Sequence, residues 1–194
     1  MSAENHTYLI TGANRGIGKS LLVTWLARPY STVIAGLRDP SSDSSKALLN
    51  LPKGENSRIL TVKIDSSSKT DAASALKILE TTYHIDKLDT VVANAGIAKY
   101  YGSITSVTAA QVLEHVNVNA IGPLLLFQAV NQLLLKSTNP KFVVMGSAIG
   151  SIGAMEKRPA PMFAYGVSKA MVHYLVRKVH FENERITAFA IDPG

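Results

Sequence analysis

Apolar residues in this chain fall into two kinds of run, and the two alternate. Short runs, most of them apolar almost throughout, occur at 7–11 (TYLIT), 31–37 (STVIAGL), 58–64 (RILTVKI), 88–94 (LDTVVAN), 141–146 (KFVVMG) and 186–191 (ITAFAI). A strand with one wet face alternates apolar and polar residues, whereas one covered on both faces does not. These six runs therefore read as strands of a buried sheet. Between them lie longer stretches with helical spacing: 16–29, ending at Pro29, a weak one at 41–51, then 69–84, 108–137 and 164–183. The stretch 108–137 predicts a bend near Gly122-Pro123. The polar runs SSDSSK (41–46) and DSSSKT (65–70) are expected to cap the helices after them.

Strand and helix in strict alternation imply an α/β fold: a doubly wound parallel sheet with helices on both faces, a three-layer α/β/α arrangement. With 194 residues, a single domain over 1–194 is expected. Ligands in such sheets bind beyond the carboxyl ends of the strands. Chemistry is therefore expected in the segments just past each strand.

The first strand runs into TGANRGIGKS (11–20). Its last three residues resemble a triphosphate-binding loop, which needs G-x-x-x-x-G-K-[ST]. That pattern would require glycine at position 13, which is Ala13, so the spacing fails. The usual dinucleotide spacing G-x-G-x-x-G fails as well, because the glycines are Gly12, Gly16 and Gly18. The physics of a dinucleotide site survives the change. Gly12 can turn the chain off the strand, Gly16 can let backbone approach a pyrophosphate, and Gly18 can let the helix pack closely. The helix N-terminus then faces the anion. On this reading Lys19 and Ser20 are ordinary residues of the first helix.

Composition narrows the function further. Hydrophobic residues make up 46% and charged residues 18%, a globular balance. There is no cysteine, which excludes disulfides, thiolate zinc sites and a cysteine nucleophile. Net charge is +6, from 20 Lys+Arg against 14 Asp+Glu. The cations are scattered, with MEKR (155–158) the densest group, so no nucleic-acid surface is implied. No apolar run has the length of a signal peptide or a membrane span, and the chain reads as cytoplasmic.

Later stretches carry the chemistry. In AYGVSKAM, Tyr165 and Lys169 are four apart on a helix and share a face. An ammonium beside a phenol favours the phenolate and lowers its pKa, so tyrosine becomes a usable acid and base. Ser147 comes after the fifth strand in VVMGSAIGS, NAG (94–96) after the fourth, and Asn119 precedes the expected helix bend. Taken with TGANRGIG (11–18), Asp65 after the third strand and DPG (192–194), this order of motifs resembles the short-chain dehydrogenases/reductases across nearly the whole chain. Within that family the sequence looks most like fungal ketoreductases of the norsolorinic acid type.

The resemblance implies a Rossmann fold and roles for individual residues. Tyr165 would be the acid/base residue, Lys169 would lower its pKa and hold the nicotinamide ribose, Ser147 would bond the substrate carbonyl, and Asn119 would support a water of the proton relay through a distorted helix. Cofactor binding would fall to Gly12, Asn14, Arg15, Gly16, Ile17 and Gly18 in the loop, to Arg38, Asp65 and Asn94 after the next three strands, and to Tyr165 and Lys169. The second strand ends with Arg38 before Asp39; arginine suits a 2′-phosphate and an acidic residue suits a 2′-hydroxyl. NADPH is therefore the expected cofactor, and reduction of a ketone to an alcohol the expected direction, with an aromatic polyketide of fungal secondary metabolism as the implied substrate. Helices 108–137 and 164–183 resemble the family's dimer interface and imply a homodimer.

Two departures stand out. Ser147 and Tyr165 are 18 positions apart, more than is usual in the family; the extra length around 153–162 is either a pocket-shaping loop or a surface insertion. The sequence also ends at Gly194, before the last strand and helix that the family carries. That ending leaves a rival reading, a catalytically impaired NADP(H)-binding protein that acts by association.

Overall fold

The computed structural model describes residues 5–157 and 159–194. Six strands form one parallel sheet: β1 (His6–Thr11), β2 (Ser31–Leu37), β3 (Arg58–Lys63), β4 (Thr90–Ala93), β5 (Lys141–Met145) and β6 (Thr187–Ile191). Their order is β3-β2-β1-β4-β5-β6, and every pairing is parallel. The order reverses between β1 and β4, and a crevice opens at such a switch point.

The helices are α1 (Gly16–Leu26), α2 (Asp43–Lys46), α3 (Asp71–Thr81), α4 (Ala109–Val116), α5 (Gly122–Leu134) and α6 (Phe163–Glu182). Alternate residues of each strand serve different layers. Leu9, Ile34, Val91, Phe142 and Val144 pack with Leu79, Val130 and Val172 of α3, α5 and α6. Their neighbours Tyr8, Ile10, Val33, Ala35, Val92 and Val143 pack with Leu22 and Leu26 of α1. Covering on both faces is the physical reason β1, β2, β4 and β5 read as unbroken apolar runs; the edge strand β6 buries only Ala188 and leaves Phe189 and Ile191 exposed. Among the described residues no helix is long and apolar enough to cross a membrane.

Three local expectations need correction. First, α1 ends at Leu26, short of Pro29. Second, only the later of the two polar runs supplies a side-chain cap: Ser42 before α2 makes none, and in the run before α3 the capping residue is not Thr70. Ser68 takes that part for α3, its Oγ accepting the Asp71 N–H at 3.2 Å, while Asp71 reaches back to the Asp65 N–H at 3.1 Å. The run before α2 is organised by Asp39 instead. Third, the long helix is interrupted by a π turn over Asn117–Ile121, just ahead of the predicted Gly122-Pro123 bend. Proline lacks an N–H, so Pro123 has none to offer the Asn119 carbonyl four residues earlier, and the regular bonding pattern is broken there.

Candidate cofactor and catalytic site

A cleft of about 680 Å³ lies beyond the carboxyl ends of β1, β2, β3 and β4. Its walls include Gly12, Asn14, Arg15, Gly16 and Ile17 of the first loop, with Arg38, Asp65 and Asn94 after the next three strands. Eight of the residues expected to bind a cofactor thus share one cavity. Gly18 lies behind it, buried.

The three glycines do different work. Gly12 turns with φ +66° as the chain leaves β1. Gly16 also has positive φ, +53°, and a Cβ there would meet nothing within 4 Å. It borders open cleft, as a cradle for a phosphate would. A Cβ on Gly18 would come within 2.5 Å of both the Gly12 carbonyl oxygen and Asn94 Nδ2, so Gly18 is required by packing. Lys19 is exposed on α1 and is not among the residues lining the cleft.

The rim carries Arg15 and Arg38, both exposed. Asp39, beside Arg38, is committed elsewhere: its Oδ1 accepts the Ser41 N–H at 2.9 Å and the Ser41 hydroxyl at 2.6 Å. Those bonds hold the Asp39 carboxyl below the usual carboxylate range. Asp65 is similarly engaged, one oxygen accepting from the N–H and hydroxyl of Ser67.

Across the crevice, Thr11 ties β1 to β4. Its hydroxyl oxygen accepts the N–H groups of Asn94 and Ala95, each at 3.0 Å, and Asn94 Nδ2 donates to the Thr11 carbonyl at 2.8 Å. Motif and spacing assign Thr11 no role; its place at the end of β1, before the glycine turn, is the one signal that could have found it. The connection after β4 is strapped to α4. The Lys99 N–H donates to Nε2 of buried His115 at 3.0 Å, and Lys99 Nζ and the Tyr100 hydroxyl donate to Glu114 at 2.6 and 2.8 Å.

Asn119 sits in the π turn, 2% exposed. Its Oδ1 accepts the Ile97 N–H at 2.8 Å, and its Nδ2 donates to the Ile97 carbonyl and to Ser168 Oγ, each at 2.9 Å. Both Nδ2 hydrogens are used, so the carboxamide holds the chain after β4 against α6.

Tyr165 and Lys169 lie one turn apart on α6, with Lys169 Nζ 5.4 Å from the centre of the phenol ring. Ser147 comes just after β5, near enough to the Tyr165 phenol for its hydroxyl to favour the phenolate. The structure therefore brings Ser147, Tyr165 and Lys169 together, with Asn119 joined to α6 through Ser168. The expected pKa effect is reversed, however. Burial raises Tyr165 above the ordinary tyrosine value, with Asp192 and Tyr101 adding to it and the Ser147 hydroxyl opposing it. Lys169 does not produce the expected lowering because it is itself buried, which lowers it to about 8 against the pull of Asp192. Its ammonium is also spent on the Met145 carbonyl at 2.5 Å.

The connection after β5 carries Ser147 near its start and leads into α6. It contains short 3-10 turns at Ala148–Gly150 and Ile152–Lys157 and is fastened to the 94–108 connection by the Gly102 N–H donating to the Pro161 carbonyl at 2.7 Å. Arg158, part of the expected basic group, lies outside the described residues. Large apolar side chains stand exposed on these two connections and the start of α6: Tyr101, Ile104, Ile152, Met155 and Phe163.

Comparison with known proteins agrees with this geometry. The family model for short chain dehydrogenases matches residues 6–194. A norsolorinic acid ketoreductase of Emericella nidulans is 46% identical over 194 residues, covering 100% of this chain and 73% of that protein. One from Dothistroma septosporum is 48% identical over 195 residues, covering 99% and 72%. Among solved structures, the NADPH-bound carbonyl reductase from chicken fatty liver superimposes with a TM-score of 0.86 at 26% identity, over 98% of this chain and 80% of that one. An alcohol dehydrogenase from Thermococcus sibiricus complexed with 5-hydroxy-NADP shares the fold, with a TM-score of 0.85 at 24% identity over 98% and 77%. The chain belongs to the short-chain dehydrogenase family, oxidoreductases that interconvert alcohols and carbonyls with a nicotinamide cofactor.

Proposed function

We propose that the protein is an NADPH-dependent ketoreductase in which Tyr165 delivers the proton to the carbonyl oxygen of an apolar aromatic ketone. The observation that carries this reading is the meeting of Ser147, Tyr165 and Lys169 at the carboxyl end of the same sheet that bears the glycine-lined cleft. The cradle fits a dinucleotide: backbone is exposed at Gly16 with open space before it, and two guanidinium groups stand at the rim. A nicotinamide bound there supplies the hydride.

The rest belongs to the chain. Ser147 Oγ donates to the ketone oxygen and orients it. The phenol carries its proton at neutral pH, as reduction requires, while burial makes it a weaker acid that the Ser147 hydroxyl partly compensates. Once the proton has left, the Ser147 hydroxyl stabilises the phenolate, with Lys169 one turn away. Arg15 and Arg38 are matched to a 2′-phosphate, and Asp39 is already taken by Ser41, which supports NADPH over NADH. Substrate class is supported by the exposed Tyr101, Ile104, Ile152, Met155 and Phe163 on the connections after β4 and β5 and at the start of α6, and by the norsolorinic acid reductases among the relatives, which point to aromatic polyketides of fungal secondary metabolism. The rival reading, an impaired cofactor-binding protein, is not favoured, because the chemical groups are assembled.

The test is oxidation of NADPH by purified protein with bicyclic and tricyclic aromatic ketones. Tyr165→Phe should lower kcat about 10³-fold; turnover that ignores this change sinks the mechanism. Arg38→Asp should weaken NADPH by about 2 kcal/mol, roughly thirtyfold, and NADH far less. Equal losses would remove the assignment of NADPH.

A further inference from the structure

His173 is a titratable group that the roles above do not use, and it is built into the site. It lies four residues past Lys169 and eight past Tyr165 on α6, so the three share one face of the helix. Its ring lies against the turn after β5, where a Cβ on Gly146 would meet Nε2 at 2.7 Å. The Ser147 N–H donates to that nitrogen at 3.2 Å.

Every N–H of the turn has an acceptor. Gly146 donates to the Ile191 carbonyl at 2.7 Å, and Gly150 and Ser151 donate to the carbonyls of Ser147 and Ala148 at 3.0 Å. Ile149 donates to Ser147 Oγ at 3.3 Å and Ala148 to Asp192 Oδ2 at 2.9 Å. Two acceptors are side chains from outside the turn, Asp192 and His173. Asp192 is exposed, whereas His173 is half-buried and reaches the residue that carries the reacting hydroxyl. We propose that His173 is a positioning residue, a neutral imidazole that accepts the Ser147 N–H and thereby fixes the direction of Ser147 Oγ toward Tyr165. This rests on the roles proposed for Ser147 and Tyr165.

An N–H donor needs a lone pair on Nε2, so the ring proton sits on Nδ1; the Gly150 backbone favours protonation of the ring. A second proton on the ring would set N–H against N–H, and the turn would have to move. Two charged groups act on the ring: Lys169, one turn earlier on α6, opposes protonation, and Asp192, after β6, favours it. Burial and Lys169 prevail and hold His173 below the usual histidine range. The acceptor therefore persists into mildly acid solution and is lost below that.

Two readouts test the proposal. In ¹⁵N-labelled protein, the Ser147 amide shift should titrate together with the His173 ring nitrogens, and should stop titrating in His173→Gln. In the NADPH and tetralone assay, kcat should fall about tenfold to a plateau as the pH drops below the His173 pKa. His173→Gln, whose amide oxygen reaches the Nε2 position and accepts without titrating, should keep kcat within about threefold at neutral pH and lose the acid limb, while His173→Leu should lose about tenfold with the KM for NADPH unchanged. A Ser147 amide indifferent to His173 titration, or an acid limb that survives in His173→Gln, overturns the proposal. Wild-type turnover insensitive to Tyr165 overturns the functional reading instead; the amide titration needs no turnover, so the two failures are separable.

Discussion

The two ends of the β1–β4 pair are joined in opposite ways. At the amino ends, one buried carboxylate does the joining. Asp89 Oδ2 accepts the Thr7 N–H at 2.8 Å and Oδ1 accepts the Ser137 hydroxyl at 2.6 Å, with Lys87 3.5 Å away. At the carboxyl ends, Thr11 joins the strands with a neutral hydroxyl, and the chain then departs through left-handed Gly12 into an open cleft. One end is closed and satisfied. The other holds a lysine lowered to about 8 by burial and a tyrosine raised by it. Stability is concentrated at one end, and costly groups at the end proposed to do the chemistry.

Asp89→Ala is the strongest way to test the closed end. It leaves the buried Thr7 N–H without its partner, and about 3 kcal/mol of stability should go. Urea unfolding reads the loss, while Kd for NADPH should stay within about twofold. A large change in cofactor affinity would mean that the two ends are coupled and the contrast false.

Lys169→Met tests the other end and should move stability in the opposite direction. Lowering a lysine from 10.5 to about 8 costs the folded state about 1.4 kcal/mol per unit, partly offset by the bond to Met145. The variant should therefore be more stable by about 1–3 kcal/mol at neutral pH, and inactive. Between pH 8 and 10.5 the unfolded chain keeps the proton that the folded chain has released, so wild-type stability rises with pH there. The advantage of methionine should be full below that window and shrink across it. Thermal melts at several pH values show whether it does; a variant less stable at neutral pH would remove the contrast.

Gly16→Ala should have the smallest effect on folding. The added methyl meets nothing, so only the left-handed backbone is penalised, by roughly 1 kcal/mol. Loss of NADPH binding should exceed loss of stability, since the methyl points where a phosphate would sit. Calorimetric titration beside urea unfolding compares the two, and equal losses would make the loop structural only.

Legibility divides along the same line. The inner strands can be read because covering on both faces makes them apolar throughout, whereas the equally apolar edge strand β6 stands largely exposed. The glycine loop can be read because its work is done by backbone within a few residues. The Tyr165/Lys169 pair can be located through its helical spacing. The sign of its electrostatics cannot, since that depends on how deeply α6 is buried and on the Met145 carbonyl taking the ammonium. His173 continues the same four-residue spacing, but nothing local shows that the Ser147 N–H will arrive at its ring. Thr11 and Asp192 stand inside the TGANRGIG and DPG motifs without a visible role for the same reason: their partners are distant in sequence.

Residue pattern and spacing alone therefore determined the layers, the glycine turn after β1 and the Tyr165/Lys169 pairing on one helix face, because these follow from periodicity and from contacts within one turn or one loop. Tertiary structure decided the protonation balance of Tyr165 and Lys169, the commitment of Asp39 and Asn119, and the holding of Ser147. Each of those depends on burial and on partners beyond the reach of local pattern, which only the folded sheet and its connections bring within hydrogen-bonding distance.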